Sequence, residues 1–161
     1  SALAQEAMEC LGGNGYVEEQ GAGAMARIYR EMPLNSIWEG AGNIMALDLL
    51  RVLRGHDVAA AIEHECAAAG GAHPAFDRAL ARVLAAVQAG TEEAGARRLA
   101  RDAALLLQAA QLRRHAPEAV FDSFCASRLD GAADVFGLLD ASLPLEALVD
   151  RARPVEMEIC A

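Results

Sequence analysis

At 161 residues with a formal net charge of −9 and a pI near 4.8, the chain is long enough for one domain or one domain plus an extension. It lacks the cationic excess that broad adhesion to nucleic acid or anionic lipid demands. Hydrophobic residues make up 54% but aromatics only 4%, the surplus being alanine and leucine, a balance that favours helices over sheet.

Ser1 to Leu11 reads as a helix with Leu3, Ala7, Met8 and Leu11 along one face. Only a lone serine precedes it as a start signal, as expected of a chain that begins inside a helix of a larger protein. Gly12-Gly13-Asn14-Gly15 stops this helix, because glycine and asparagine accept the left-handed conformation beyond a last turn. Tyr16 to Gly23 reads as loop, Met25 to Tyr29 as a short helix, and Arg30 to Trp38, with Pro33 and Asn35-Ser36, as extended or irregular.

Glu39 to Arg54 is the second long helix, with Ser36 at capping-box spacing and a broad apolar face of Ile44, Leu47 and Leu50. Gly55 closes it, and Asp57 caps a helix to about Ala69. A break at Gly70 to Pro74 leads into a helix from Pro74 to Ala89, closed by Gly90. A long helix runs from Thr91-Glu92-Glu93 to about His115, another from Pro117 to about Leu139, and a short one starts at Pro144, before an exposed tail from Pro154. No run alternates like a strand, so the expected class is all-α, a bundle of about six helices with short connections.

Chemistry-bearing residues are sparse. The cysteines Cys10, Cys66, Cys125 and Cys160 form no CxxC pair and read as buried free thiols of a reducing cytoplasm. No apolar run reaches the roughly 18 residues of a membrane span. His64-Glu65-Cys66 lacks the partner histidine of HExxH, so no metal is expected. His56, His73 and His115 sit at helix ends or breaks and read as solvated. The cluster of Arg97, Arg98, Arg101, Arg113 and Arg114 reads as a solvated face paired with nearby acids, with phosphate contact as the sharper alternative.

Two features carry a double reading. GGNG is a helix stop, yet glycines also let a phosphate or a flat base approach the backbone amides. Glu39 in a first helical turn is a favourable partner of the helix dipole. It is equally a candidate general base beside Ile37 and Trp38, an apolar setting that would raise its pKa toward a useful value.

In order, GGNGYVEE, Arg30-Glu31 and Ile37-Trp38-Glu39-Gly40 resemble the C-terminal helical domain of the acyl-CoA dehydrogenases. The family pattern is roughly Gly-Gly-x-Gly-[Tyr/Phe], Arg-Asp and Ile-Tyr-Glu-Gly-Thr-x-Gln. The resemblance covers about residues 1 to 54, and REMPLNSIWEGAGNIMALDLLRVL looks closest to the isovaleryl-CoA dehydrogenase-like branch tied to the bacterial DNA-alkylation response. It implies a helical bundle of that C-terminal type over residues 1–55 and an additional helical extension over residues 56–161.

The resemblance further implies FAD as cofactor and an acyl-CoA thioester as substrate, with Glu39 as the base that removes the α-proton. Gly12, Gly13 and Gly15 would approach the adenosine part of FAD, and Gly40, Ala41 and Asn43 would meet the flavin or its pyrophosphate. Ala41 stands for the family's threonine, Asn43 for its glutamine, and Glu9 for a glutamine near the adenosine, which points to altered flavin contacts. A tetramer, electron-transfer flavoprotein or oxygen as electron acceptor, and a cytoplasmic setting are implied as well. The fragment alone would be inactive, since the family's other flavin-enclosing domains are not in it.

Two further readings stand beside this one. The branch implies a flavoprotein that binds DNA, disfavoured because residues 54–161 carry 11 arginines against 16 acidic residues, net −5. The other is a structural oligomerisation bundle in which Glu39 has no chemical part.

Overall fold

The computed structural model describes residues 1–18, 24–53, 57–130 and 138–154, and every regular element among them is helical. No helix among the described residues is long and apolar enough to cross a membrane. The chain divides into two compact units, Ser1–Gly55 with Glu92–Arg97, and His56–Thr91 with Arg98–Ala161.

In the first unit, α1 (Ala2–Cys10) ends at Leu11, and Gly12 turns the chain with φ 58°. A single helical turn follows at once, α2 (Gly13–Tyr16), where the sequence had pointed to a stop and then loop. It can fold back because Gly15 is buried against α1: a Cβ there would stand 2.3 Å from the Met8 carbonyl oxygen. Packing fixes this glycine. α3 (Ala24–Glu31) packs on α1 and α2, with Ala4 and Ala26 buried. Arg30 Nη2 donates to Glu18 Oε2 at 2.6 Å, an exposed pair that contributes about 0–1 kcal/mol and fixes a register.

The segment after α3 corrects an expectation. Met32–Ser36 continues as a 3₁₀ helix instead of extending, because Pro33 falls in its first turn, where a missing N–H and a fixed φ cost nothing. Ser36 does not cap the next helix either: its Oγ donates to the Pro33 carbonyl at 2.7 Å. Consequently α4 (Gly42–Leu53) starts three residues later than Glu39, and its first intrahelical bond runs from Met45 N–H to the Ala41 carbonyl. Ala46 and Leu50 are its buried residues.

The second unit follows its punctuation closely. Asp57 Oδ1 accepts from Ala60 N–H at 3.2 Å and caps α5 (Val58–Cys66), which tightens into a 3₁₀ turn at Ala67–Ala69. His73 is no solvated histidine: its Nδ1 accepts from Ala75 N–H at 3.1 Å at the start of α6 (Pro74–Ala89), and its ring meets Phe121 edge-on. Gly90, with φ 74°, ends α6. A 3₁₀ turn at Glu93–Gly95 and the first two residues of α7 (Ala96–His115) count with the first unit; the rest of α7 and α8 (Glu118–Phe124), which follows Pro117, return to the second.

After Phe124 the helix widens into a π-helical turn, Cys125–Leu129. Ser123 and Ser127 there donate to carbonyls four residues back, at 2.6 Å each, a bonding mode that loosens a helix ladder. The Gly55 stop, His56, the end of the expected helix near Leu139 and the tail beyond Pro154 fall wholly or partly outside the described residues. α9 (Leu145–Ala152) follows Pro144 as anticipated.

Phe76, Val83, Leu106 and Phe121 are fully buried, the two rings 6.0 Å apart, and each contributes about 1.5–3 kcal/mol by leaving water. Cys66 and Cys125 lie in the same interior, while Cys10 is exposed, contrary to the expectation that all thiols are buried. Burial pushes the Cys66 thiol up, and that of Cys125 up to about 12.

Candidate functional site

The turn between Ser36 and Gly42 is set from both sides. The 3₁₀ helix closes with Ile37 and Trp38 N–H both donating to the Leu34 carbonyl, at 3.0 and 3.1 Å. α4 takes over at Gly42. Glu39, left between them, takes φ 60°, the one non-glycine at positive φ among the described residues. A side chain in the left-handed region is disfavoured by about 1–2 kcal/mol, so this conformation is held by its neighbours against its own preference. Gly40 follows at φ 123°, which a glycine takes freely.

Three consequences follow for chemistry. The Glu39 carboxylate is exposed, with neither hydrogen bond nor ion pair among the described residues. Its main-chain N–H likewise has no acceptor among them. The first amides of α4, at Gly42, Asn43 and Ile44, precede the first intrahelical bond and are therefore free donors at the positive end of the helix. A carboxylate, an isolated amide and a helix start thus lie within six residues.

The apolar wall anticipated around Glu39 is not formed by this chain on its own, since Ile37 is 64% and Trp38 58% exposed. Leu34, Ile44 and Met45 are exposed as well, so the turn sits among exposed apolar side chains.

Among the other residues singled out in the sequence, Gly40 is half-buried and Ala41 and Asn43 are exposed at the same helix start. Ala41 uses its carbonyl for Met45 and presents only a methyl group. Gly12 and Gly13 are exposed with open space where a Cβ would go, Gly12 being required by its positive φ. Gly15 points into α1. Among the described residues no backbone hydrogen bond joins this bend to the Glu39 turn.

Arg97, marked in the sequence only as part of an arginine cluster, makes a contact that the sequence did not show. Arg97 belongs to the same unit, and its Nη2 stands 3.5 Å from where a Gly42 Cβ would lie. Its guanidinium therefore lies beside Gly42 in the first turn of α4, with no carboxylate partner among the described residues. Nothing in the spacing marks a contact across that stretch of chain. The donor set, free amides plus a guanidinium, fits a diphosphate group of the kind FAD carries.

Other arginines of that cluster behave as a paired face. Arg114 donates to Glu65 Oε2 at 2.8 Å and to its carbonyl at 2.7 Å. Arg113 lies 5.6 Å from the centre of the Phe121 ring and 3.6 Å from Glu118 Oε1.

Residues 1–54 match the family model described as acyl-CoA dehydrogenase, C-terminal domain. Over 126 residues, 78% of the chain, the sequence is 41% identical to the protein named "Putative acyl-CoA dehydrogenase AidB" of Escherichia coli (strain K12), and spans 23% of that relative. Over 55 residues, 34% of the chain, it is 38% identical to acyl-CoA dehydrogenase family member 11 of Caenorhabditis elegans, spanning 8% of it. The chain thus spans less than a quarter of the length of the curated relatives it matches.

Proposed function

The chain belongs, through residues 1–54, to the acyl-CoA dehydrogenase C-terminal domain family, and from that premise we propose that it is the C-terminal part of an FAD-dependent acyl-CoA dehydrogenase with Glu39 as the base. The observation that carries this reading is the backbone of Glu39, a non-glycine held at positive φ with its amide and its carboxylate both unengaged. Strain of this kind persists where the arrangement is used.

The α-proton of a thioester is very weakly acidic, so a carboxylate removes it only if the carbonyl oxygen is polarised in the same step. On this reading the Glu39 N–H donates to that oxygen while the Glu39 carboxylate takes the proton and becomes a carboxylic acid. FAD, when bound, supplies the hydride acceptor, so loss of one proton from Cα and one hydride from Cβ leaves a Cα–Cβ double bond. The exposed Ile37 and Trp38 would wall the site once the remaining domains cover them, excluding water and strengthening the polar contacts inside.

Residues that would hold the cofactor are the free amides around Gly40, Ala41 and Asn43 with Arg97 beside them, toward the diphosphate or flavin. Gly12 and Gly13 would let the adenosine part approach the backbone, and Gly15 would support that bend from inside. The apolar surface of Leu34, Ile44 and Met45 gives the rest of the enzyme, and a homotetramer, a face to cover. Electron-transfer flavoprotein or oxygen as acceptor and a cytoplasmic setting belong to the same proposal, as does a division into a dehydrogenase segment over residues 1–55 and an extension over residues 56–161.

DNA binding through the arginines of α7 is less well supported, because Arg113 and Arg114 are already engaged with Phe121, Glu118 and Glu65. An inert oligomerisation bundle leaves the positive φ of Glu39 without a use. The test is the visible absorption spectrum of the full-length protein during titration with a panel of acyl-CoAs. A flavin band that bleaches with one class of thioester supports the proposal, and a protein that carries no flavin, or a band that none of them bleaches, removes it.

A further inference from the structure

Within the second unit, residues of α7, α8 and α9 line an open cavity of about 440 Å³ that has no part in the chemistry above. Leu112, Ala116 and Phe124 give it an apolar lining, and Gln108, Gln111, His115 and Arg151 complete its rim. That volume falls among small-molecule sites, which span about 300–1,000 Å³ and combine an apolar body with a few convergent polar groups.

The charge around it is one-sided. No carboxylate lines the cavity among the described residues, although the chain as a whole carries a net −9. Three acids of these and the adjoining helices are paired: Glu65 with Arg114 at 2.8 Å, Glu118 with Arg113 at 3.6 Å, and Asp150 with Arg153 at 3.1 Å. Arg151 has no ion pair among the described residues. An arginine side chain beside an apolar groove selects an anion with an apolar tail, since a carboxylate can take two of its fixed N–H donors while the chain leaves water.

The geometry points to a second ligand site here, for a free fatty carboxylate, with its head on Arg151 and its chain against Leu112, Ala116 and Phe124. This site stands independently of Glu39 and of the flavin. A neutral alcohol of the same chain length shares the apolar contacts only, and a cationic amphipath meets Arg151 with like charge.

The experiment is calorimetric titration of the full-length protein with octanoate, octanol and octyltrimethylammonium at low salt. Octanoate should saturate one site that neither comparator fills as tightly. Arg151→Gln, an exposed position, should weaken octanoate roughly tenfold or more, the scale of one lost charge-assisted pair, and leave octanol unchanged. Ala116→Trp should fill the cavity and abolish binding. Absence of saturable octanoate binding to the native protein overturns the inference, as does an affinity that Arg151→Gln does not change.

Discussion

Replacing Glu39 with glycine and, separately, with alanine separates what its backbone costs from what its side chain does. The residue sits at φ 60° between Trp38 and Gly40, exposed and without side-chain bonds among the described residues. Alanine keeps a Cβ in the left-handed region and removes only the carboxylate. Glycine also removes the penalty of about 1–2 kcal/mol that a Cβ incurs there, less about 0.4–1 kcal/mol for the greater freedom it gives the unfolded chain. Glu39→Gly should therefore exceed Glu39→Ala in stability by up to about 1.6 kcal/mol, and never fall below it. Urea unfolding of the two variants, compared at unchanged slope, reads this difference directly. A glycine variant clearly less stable than the alanine variant would show that the backbone is not strained, and the inference from strain to use would fall with it.

Gly15→Ala, whose Cβ meets the Met8 carbonyl at 2.3 Å, should destabilise the α1–α2 bend by about 1–3 kcal/mol, seen as a lower urea midpoint. Phe121→Ala empties a fully buried ring site and should lose about 3–5 kcal/mol by the same measurement. The Cys125 thiol, raised by burial from 9.0 to about 12, is kept neutral by the fold. Its contribution to stability is thus present below the unfolded pKa and lost as pH rises from about 9 to 12, and a Cys125→Ala variant should show a shallower decline across that window. In the folded protein, Cys10 should react quickly with a thiol reagent while Cys66 and Cys125 react only on unfolding, which timed labelling with peptide mapping resolves.

The sequence was most legible where one residue decides a local structure. Asp57, Pro74, Gly90 and Pro144 mark helix ends through a side-chain cap, a missing N–H or a positive φ, and the helices start and stop beside them. It was less legible where two rules compete. Pro33 reads as a breaker but also suits a first helical turn, and the second use prevailed; that turn, ending on the Leu34 carbonyl, moved the start of α4 from Glu39 to Gly42. Glu39 was visible as a residue, but its positive φ was not, because it arises from the junction of two helical segments. The approach of Arg97 to Gly42 depends on tertiary packing that no spacing rule encodes. The cysteines show the same limit: Cys66 and Cys125 are buried as expected, whereas Cys10 lies on the outward side of α1.

The role of Glu39 is tested most directly by exchange of the α-hydrogen of a bound acyl-CoA with solvent deuterium, which reads proton removal apart from hydride transfer. The full-length protein should catalyse this exchange, and Glu39→Gln should slow it by about 10²–10⁴-fold while the flavin spectrum stays intact. Exchange at an undiminished rate in the glutamine variant would contradict the assignment of the base.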